Sequence, residues 1–218
     1  MRVLIVEDDA DIQRLLATAL ASAGYAVDTA SDGEDGHHLG ATESYDAVIL
    51  DLGLPQIDGI SILERWRKEG ITVPVLILTA RDSWTEKVKG LRAGADDYVA
   101  KPFQMEEVIA RIEALIRRAH GIASAVLNVG PLTLDTTQNM VFRDGNPIIM
   151  TPLEYRLAAY LMMRRGAVIS KTEITEHIYD QNFDRDSNVV EVLINRLRKK
   201  LGTDAIETRR GQGYVLAL

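Results

Sequence analysis

The sequence predicts an α/β fold, a parallel sheet covered by helices on both sides, joined to a smaller domain of short strands and three helices. Two observations carry the first half. Apolar runs of strand length recur at residues 3–6, 25–30, 47–50, 73–78 and 95–100, and amphipathic stretches separate them. Such near-continuous runs are what strands buried on both faces require, and their alternation with helices implies a parallel sheet. A third observation carries the second half: beyond residue 125 the pattern shifts to short strand-like pieces, then helices, then a basic cluster.

The elements follow in order. Ile12, Leu15, Leu16, Ala19, Leu20 and Ala23 keep helical spacing and stop at Gly24, and Ile60, Leu63 and Trp66 repeat that spacing. Ser83-Trp84-Thr85-Glu86 has capping-box spacing for a fourth helix, and Val108, Ile109, Ile112, Leu115 and Ile116 form the apolar face of a fifth. Residues 120–125 are small and weakly polar and read as a linker between domains at 1–119 and 126–218. In the second domain Leu132-Thr-Leu, Met140-Val-Phe-Arg and Ile148-Ile are strand-like, with Arg143-Asp144-Gly145-Asn146 as a hairpin turn. Thr151-Pro152-Leu153-Glu154 is a capping box with proline at the first helical position, and Ser170-Lys171-Thr172-Glu173 is a second box. A third helix runs from about residue 187 to 201, with Val190, Leu193, Ile194, Leu197 and Leu201 as its apolar stripe. Asn188, Val192, Asn195, Arg196 and Lys199 fall largely on another face, with Arg198 and Lys200 beside it. After Gly202, residues 206–216 turn at Gly211-Gln212-Gly213 as a β-hairpin carrying Arg209 and Arg210.

Composition narrows the function. The net charge of −7 conceals an asymmetry: residues 1–121 hold 13 basic against 21 acidic side chains, residues 122–218 hold 12 against 11. The two halves therefore face different partners. With no cysteine, disulfides, thiolate catalysis and cysteine-ligated zinc are excluded together. No apolar segment approaches the roughly 20 residues needed to span a bilayer, and the first apolar run gives way at once to Glu7-Asp8-Asp9. A cytoplasmic protein without a membrane partner is expected. The four histidines share no ligand-like spacing.

The chemistry lies at the strand ends. The first strand ends at Glu7-Asp8, the third at Asp51 before a Gly/Pro turn, the fourth at Thr79-Ala80 and the fifth at Lys101-Pro102. In a doubly wound sheet this edge is where ligands bind. Carboxylates gathered there raise one another's pKa unless a cation holds them ionised, and with oxygen donors only, magnesium fits best. Asp51 is the candidate nucleophile and phosphate acceptor. Glu7, Asp8, Asp51 and the Gly53 carbonyl are the candidate metal ligands. Lys101 would pair with phosphate oxygens opposite the metal, and the Thr79 hydroxyl would bond the phosphoryl group after its arrival.

Glu7-Asp8-Asp9, Asp51 with Leu-Pro beyond it, Thr79-Ala80-Arg81 and Lys101-Pro102-Phe103 together resemble the receiver domain of bacterial two-component response regulators. The resemblance implies a (βα)5 flavodoxin-like fold, phosphorylation of Asp51 by a partner histidine kinase, a cis bond at Lys101-Pro102, and Tyr98 as an aromatic that moves with Thr79. Gly94-Ala95-Asp96-Asp97-Tyr98 is similar to the OmpR/PhoB subfamily. There, charges on the fourth helix, fifth strand and fifth helix pair between subunits of a phosphorylated homodimer. The expected pairs are Lys87–Glu107, Asp97–Arg111 and Asp96–Arg118.

Thr151-Pro-Leu-Glu-Tyr, Ser187-Asn-Val-Val-Glu-Val, Asn195-Arg-Leu-Arg-Lys-Lys-Leu and Arg210-Gly-Gln-Gly-Tyr resemble the winged helix-turn-helix domain of the same family over residues 126–218. This implies promoter DNA as partner. Asn195 and Arg196 are expected at bases, Arg198, Lys199 and Lys200 at phosphates, and Arg210 in the minor groove. Residues 180–186 correspond to the loop that meets RNA polymerase. A phosphoacceptor transcription factor is implied, with phosphotransfer and autodephosphorylation as its only chemistry. A haloacid-dehalogenase-like phosphatase fits less well: its nucleophile follows the first strand with a second aspartate two residues on, where this sequence has Asp51 after the third strand and Gly53.

Overall fold

The structure is a computed structural model and describes residues 1–79, 84–179 and 189–218, the side chains of 84–87 excepted. It divides into two compact units, Arg2–Ala119 and, with Met1, His120–Leu218.

The first unit alternates β1 (Arg2–Val6), α1 (Ala10–Ser22), β2 (Ala26–Ala30), α2 (Gly33–Thr42), β3 (Ala47–Asp51), α3 (Gly59–Lys68), β4 (Val75–Thr79), α4 (Trp84–Ala93), β5 (Asp97–Ala100) and α5 (Met105–Ala119). The five strands are parallel in the order β2-β1-β3-β4-β5, a flavodoxin-like sheet. Helices α2, α3 and α4 pack in succession, and α1 packs with α5. Strands β1, β3 and β4 are buried at every residue, as their apolar runs demand. Aspartates start the first three helices: Asp9, Asp32 and Asp58 each accept hydrogen bonds from first-turn N–H groups that have no helical partner. The strand order reverses between β1 and β3, which opens a crevice at their carboxyl ends.

Helix α2 has no apolar stripe. Its buried face is Gly33, Gly36 and Gly40. A Cβ at Gly36 would lie 2.5 Å from Val6 Cγ1, and one at Gly40 would lie 2.2 Å from the Trp66 ring. The glycines let the helix axis come so close that strand and tryptophan fill the space side chains would occupy.

The second unit begins with the antiparallel sheet β6 (Val126–Val129), β7 (Leu132–Asp135), β8 (Met140–Arg143) and β9 (Asn146–Ile148). Asp144 and Gly145 both take positive φ, 50° and 78°, as the two-residue hairpin between β8 and β9 requires. Ile149 lies beyond β9 and is 91% exposed. Helices α6 (Pro152–Met163), α7 (Lys171–Ile178) and α8 (Val189–Leu201) follow, then the hairpin β10 (Ile206–Arg209) and β11 (Gly213–Leu216), to which Ile169 adds a bridge at Tyr214. α6 is the central helix, buried from Leu157 to Met163.

Both arms of the Thr151–Glu154 capping box are made. The second box is made by half. Ser170 Oγ accepts from Glu173 N–H at 3.0 Å, but the Glu173 carboxylate accepts instead from the Tyr160 hydroxyl, at 2.8 Å, and from Arg164. A guanidinium is a stronger donor than a neutral amide N–H. The capping spacing expected over 83–86 reaches into residues outside the described ones.

Candidate functional sites

Four parallel strands deliver their ends to one crevice. Glu7 follows β1 and has no exposed surface; Asp51 ends β3 and is 7% exposed; Thr79 ends β4 and is buried; Lys101 directly follows β5 and is joined to Pro102 by a cis bond. The Lys101 ammonium donates to both Glu7 oxygens and to Asp51 Oδ2, each at 2.7 Å. The other Asp51 oxygen, Oδ1, accepts from Gly53 N–H at 3.1 Å. Asp8 is exposed at the mouth, and oxygens of Glu7, Asp8 and Asp51 lie within 4.8 Å of one another. Tyr98, on β5 beside Ile77 of β4, is half-buried against the core. Asp9, the third acid of the run, serves as the α1 cap.

The electrostatics follow from burial. Desolvation pushes the Glu7 carboxyl above its usual range, opposed by the Lys101 hydrogen bond and reinforced by the neighbouring Asp51 charge. Burial works against the Lys101 charge, but the bonds to Asp51 and Glu7 outweigh it and raise its pKa. One ammonium thus holds two carboxylates, with a third open to solvent. The donor set fits a hard divalent cation: oxygen atoms only, with a spread close to the roughly 4 Å between opposite ligands of octahedral magnesium.

On the α4, β5 and α5 surface the charges have partners within the chain. Arg111 bonds Asp97 at 2.8 Å through Nη1, and Glu107 at 2.9 and 2.7 Å through Nε and Nη2. Asp96 accepts from Val75 N–H at 2.9 Å and from Arg67 at 3.2 Å. Arg118 is exposed and its Nε donates to the Ala114 carbonyl. The Lys87 side chain lies outside the described residues. The Asp97–Arg111 pair, expected between subunits, therefore forms here within one chain. Arg67 was not foreseen; its guanidinium gathers the carbonyls of Ile71, Val73 and Gly94 as well as Asp96. Nor was the cluster of buried Arg2 and Asp28 with the half-buried Tyr45. Asp28 sits among the small and apolar residues of β2, and that is the one sequence signal for it.

In the second unit Asn195, Arg196 and Lys199 are exposed on α8, and Arg210 is exposed at the tip of the β10–β11 hairpin. Arg198 turns toward the hairpin, bonding the Ile206 carbonyl at 2.9 Å and Thr208 Oγ1 at 2.7 Å. Lys200, expected at a phosphate, instead donates to Glu154 Oε2 at 2.6 Å and to the Ile149 carbonyl at 2.9 Å. Residues 180–186 lie outside the described residues.

A flavodoxin-like domain with an acid and lysine crevice, joined to a helix-turn-helix with a β-hairpin wing, is the layout of a regulator with a DNA-binding output. Residues 3–113 match the response regulator receiver domain, and residues 145–216 match the C-terminal domain of transcriptional regulatory proteins. The two-component response regulator PhoP of Pseudomonas aeruginosa is 42% identical over 99% of this chain and 97% of its own. The crystal structure of the response regulator DrrB, a Thermotoga maritima OmpR/PhoB homolog, is similar over 99% of this chain and 98% of its own, at 29% identity and a TM-score of 0.50. The receiver domain of the Pseudomonas aeruginosa sensor histidine kinase PA1611, solved with a magnesium ion in its active-site cleft, covers 53% of this chain and 96% of its own, at 33% identity and a TM-score of 0.50. The chain belongs to the OmpR/PhoB family of two-component response regulators. A receiver domain implies a histidine kinase as partner, and the C-terminal domain implies DNA binding. Among the described residues no helix is long and apolar enough to cross a membrane.

Proposed function

We propose that Asp51 is the phosphoacceptor of this cytoplasmic regulator and that its phosphorylation drives homodimerisation and promoter binding. The observation that carries the reading is the Lys101 ammonium bonded at once to Asp51 and Glu7 at the crevice floor. An Asp51 oxygen forms the new P–O bond as the P–N bond of a kinase phosphohistidine breaks. Glu7, Asp8, Asp51 and the Gly53 carbonyl would hold a magnesium ion, which would supply positive charge to the transferring phosphoryl oxygens. Lys101 leaves its carboxylate partners to pair with those oxygens from the opposite side. The Thr79 hydroxyl then donates to the phosphoryl group, and Tyr98 follows it, shifting the α4, β5 and α5 face toward its dimer-competent form. The dimer uses Lys87, Asp96, Asp97, Glu107, Arg111 and Arg118. Asn195 and Arg196 of α8 enter the major groove, Arg198 and Lys199 lie along phosphates, Arg210 reaches the minor groove, and residues 180–186 meet RNA polymerase.

Incubating the protein with a small phosphodonor and magnesium, then measuring its mass and DNA affinity together, tests the reading. The wild type gains one phosphoryl group, associates and binds DNA more tightly; Asp51→Ala does none of these. A mass gain without tighter association or binding overturns the switch, and a mass gain in Asp51→Ala overturns the assignment of the acceptor.

A further inference from the structure

Among the basic residues of α8, Lys200 is set apart by the destination of its ammonium. It reaches Glu154, the third residue of α6, and the Ile149 carbonyl just ahead of that helix. Glu154 is 3% exposed, and the oxygen that receives Lys200 also accepts the Thr151 N–H at 2.8 Å. A single buried carboxylate oxygen therefore joins the N-terminal cap of the central helix to the last turn of the helix read here as the DNA-entering one. Lys199, one residue earlier, is exposed.

We infer that Lys200 is a positioning residue for DNA recognition: through Glu154 it fixes the C-terminal end of α8 against α6, and Lys199 is the phosphate contact at that end. The inference rests on the reading of α8 as the helix that enters DNA. Its ground is an energetic asymmetry. If the Lys200 ammonium left for a phosphate, it would trade one charge-assisted bond for another, screened by salt, and would leave a buried carboxylate with no cation. A new exposed bond to phosphate does not offset a stripped buried charge. Holding Glu154 keeps the capping box, the Ile149 carbonyl and the end of α8 in one unit.

Salt dependence separates the two roles, because the slope of log affinity against log salt falls by about 0.9 for each phosphate that the protein ceases to neutralise. The probe is a fluorescein-labelled duplex that the wild-type chain selects from a randomised pool, titrated with the full chain over a potassium chloride series. Lys199→Met should give a slope shallower by about that amount. Lys200→Met should lower affinity roughly tenfold at every salt concentration, the size of coupling between touching residues, with the wild-type slope retained. Glu154→Gln, which leaves Lys200 in place and removes its partner's charge, should give the same parallel, weaker line. The double variant should bind no more weakly than Lys200→Met alone. A shallower slope in Lys200→Met overturns the inference, as does unchanged or tighter binding by Glu154→Gln. If Lys200→Met does not fold, Glu154→Gln alone decides between these outcomes. An unchanged slope in Lys199→Met overturns the placement of α8 on DNA, and the inference with it, a result distinct from a changed Lys200 slope.

Discussion

Glu154 and Lys200 meet at 2.6 Å, yet they differ in what each loses when the other is removed. The Glu154 side chain is 4% exposed and that of Lys200 is 32% exposed. Lys200→Met strips the cation from a buried carboxylate, a change that costs about 3–5 kcal/mol in buried pairs. The bond from Thr151 N–H survives and retains part of the compensation, so a loss of about 2–4 kcal/mol is expected. Glu154→Gln leaves an ammonium that can turn to water and an amide oxygen that can still accept from Thr151; about 1 kcal/mol is expected. Urea unfolding followed by circular dichroism should place Lys200→Met below Glu154→Gln, and both below wild type. The pH dependence has a definite sign. Burial acts to raise the Glu154 carboxyl, but the bonds from Lys200 and Thr151 outweigh it and hold the pKa below the ordinary value of 4.5. The native state then binds this proton more weakly than the unfolded state. The stabilisation is complete above the ordinary value and is lost as pH falls through the lowered native one. The urea midpoint of the wild type should drop with acid more steeply than that of Glu154→Gln, and parallel acid limbs would contradict the pairing.

Helix α2 packs through what it lacks. Gly40 faces the Trp66 ring, which is wholly buried and has no room to turn, and a Cβ there would sit 2.2 Å from it. Gly40→Ala should cost about 1–3 kcal/mol by overpacking, despite the better helix propensity of alanine. Gly70→Ala is the comparison: its Cβ meets open space and its only penalty is the φ of +81°, about 1 kcal/mol. Equal losses in urea unfolding would mean the close approach of α2 carries no energy. The same helix explains which elements were legible in the sequence. A buried stripe of Val108, Ile112, Leu115 and Ile116 announces α5, whereas a stripe of glycines has no apolar periodicity to detect. Strand β6 alternates in burial but not in sequence, because the outward Val126 is as apolar as the inward Leu127 and Val129. The crevice was readable because parallel strands bury everything up to their ends, so a carboxylate, hydroxyl or ammonium that interrupts the apolar run falls at the carboxyl edge. The partners of Lys200 and Arg67 were not. Periodicity assigns a Cβ to a face, but the long stem of a lysine or arginine carries its charge well away from that face.

For the whole molecule, the proposed switch has to convert one phosphoryl group into DNA affinity, and the charges of the α4, β5 and α5 face bound how. Arg111 already satisfies Asp97 and Glu107 within the chain, and Asp96 is held by Arg67 and the Val75 N–H. Re-forming the Asp97 pair between subunits would exchange an existing ion pair for an equivalent one. Exposed pairs contribute about 0–1 kcal/mol each, so the exchange alone supplies little drive toward a dimer. The drive must come from the rearrangement that follows Asp51, with the charges selecting the partner face and its register. Two linked DNA-binding domains then gain through effective concentration, without a new bond to DNA. Arg111→Glu separates these parts: it sets three acids together on the face and leaves the crevice untouched, so phosphodonor and magnesium should still add one phosphoryl group by mass. Light scattering should show no association on that treatment, and DNA affinity should stay at the level of the untreated wild type. A variant that takes the phosphoryl group and still dimerises would move the interface to another surface of the receiver, while a variant that fails to take it would tie Arg111 to the crevice itself.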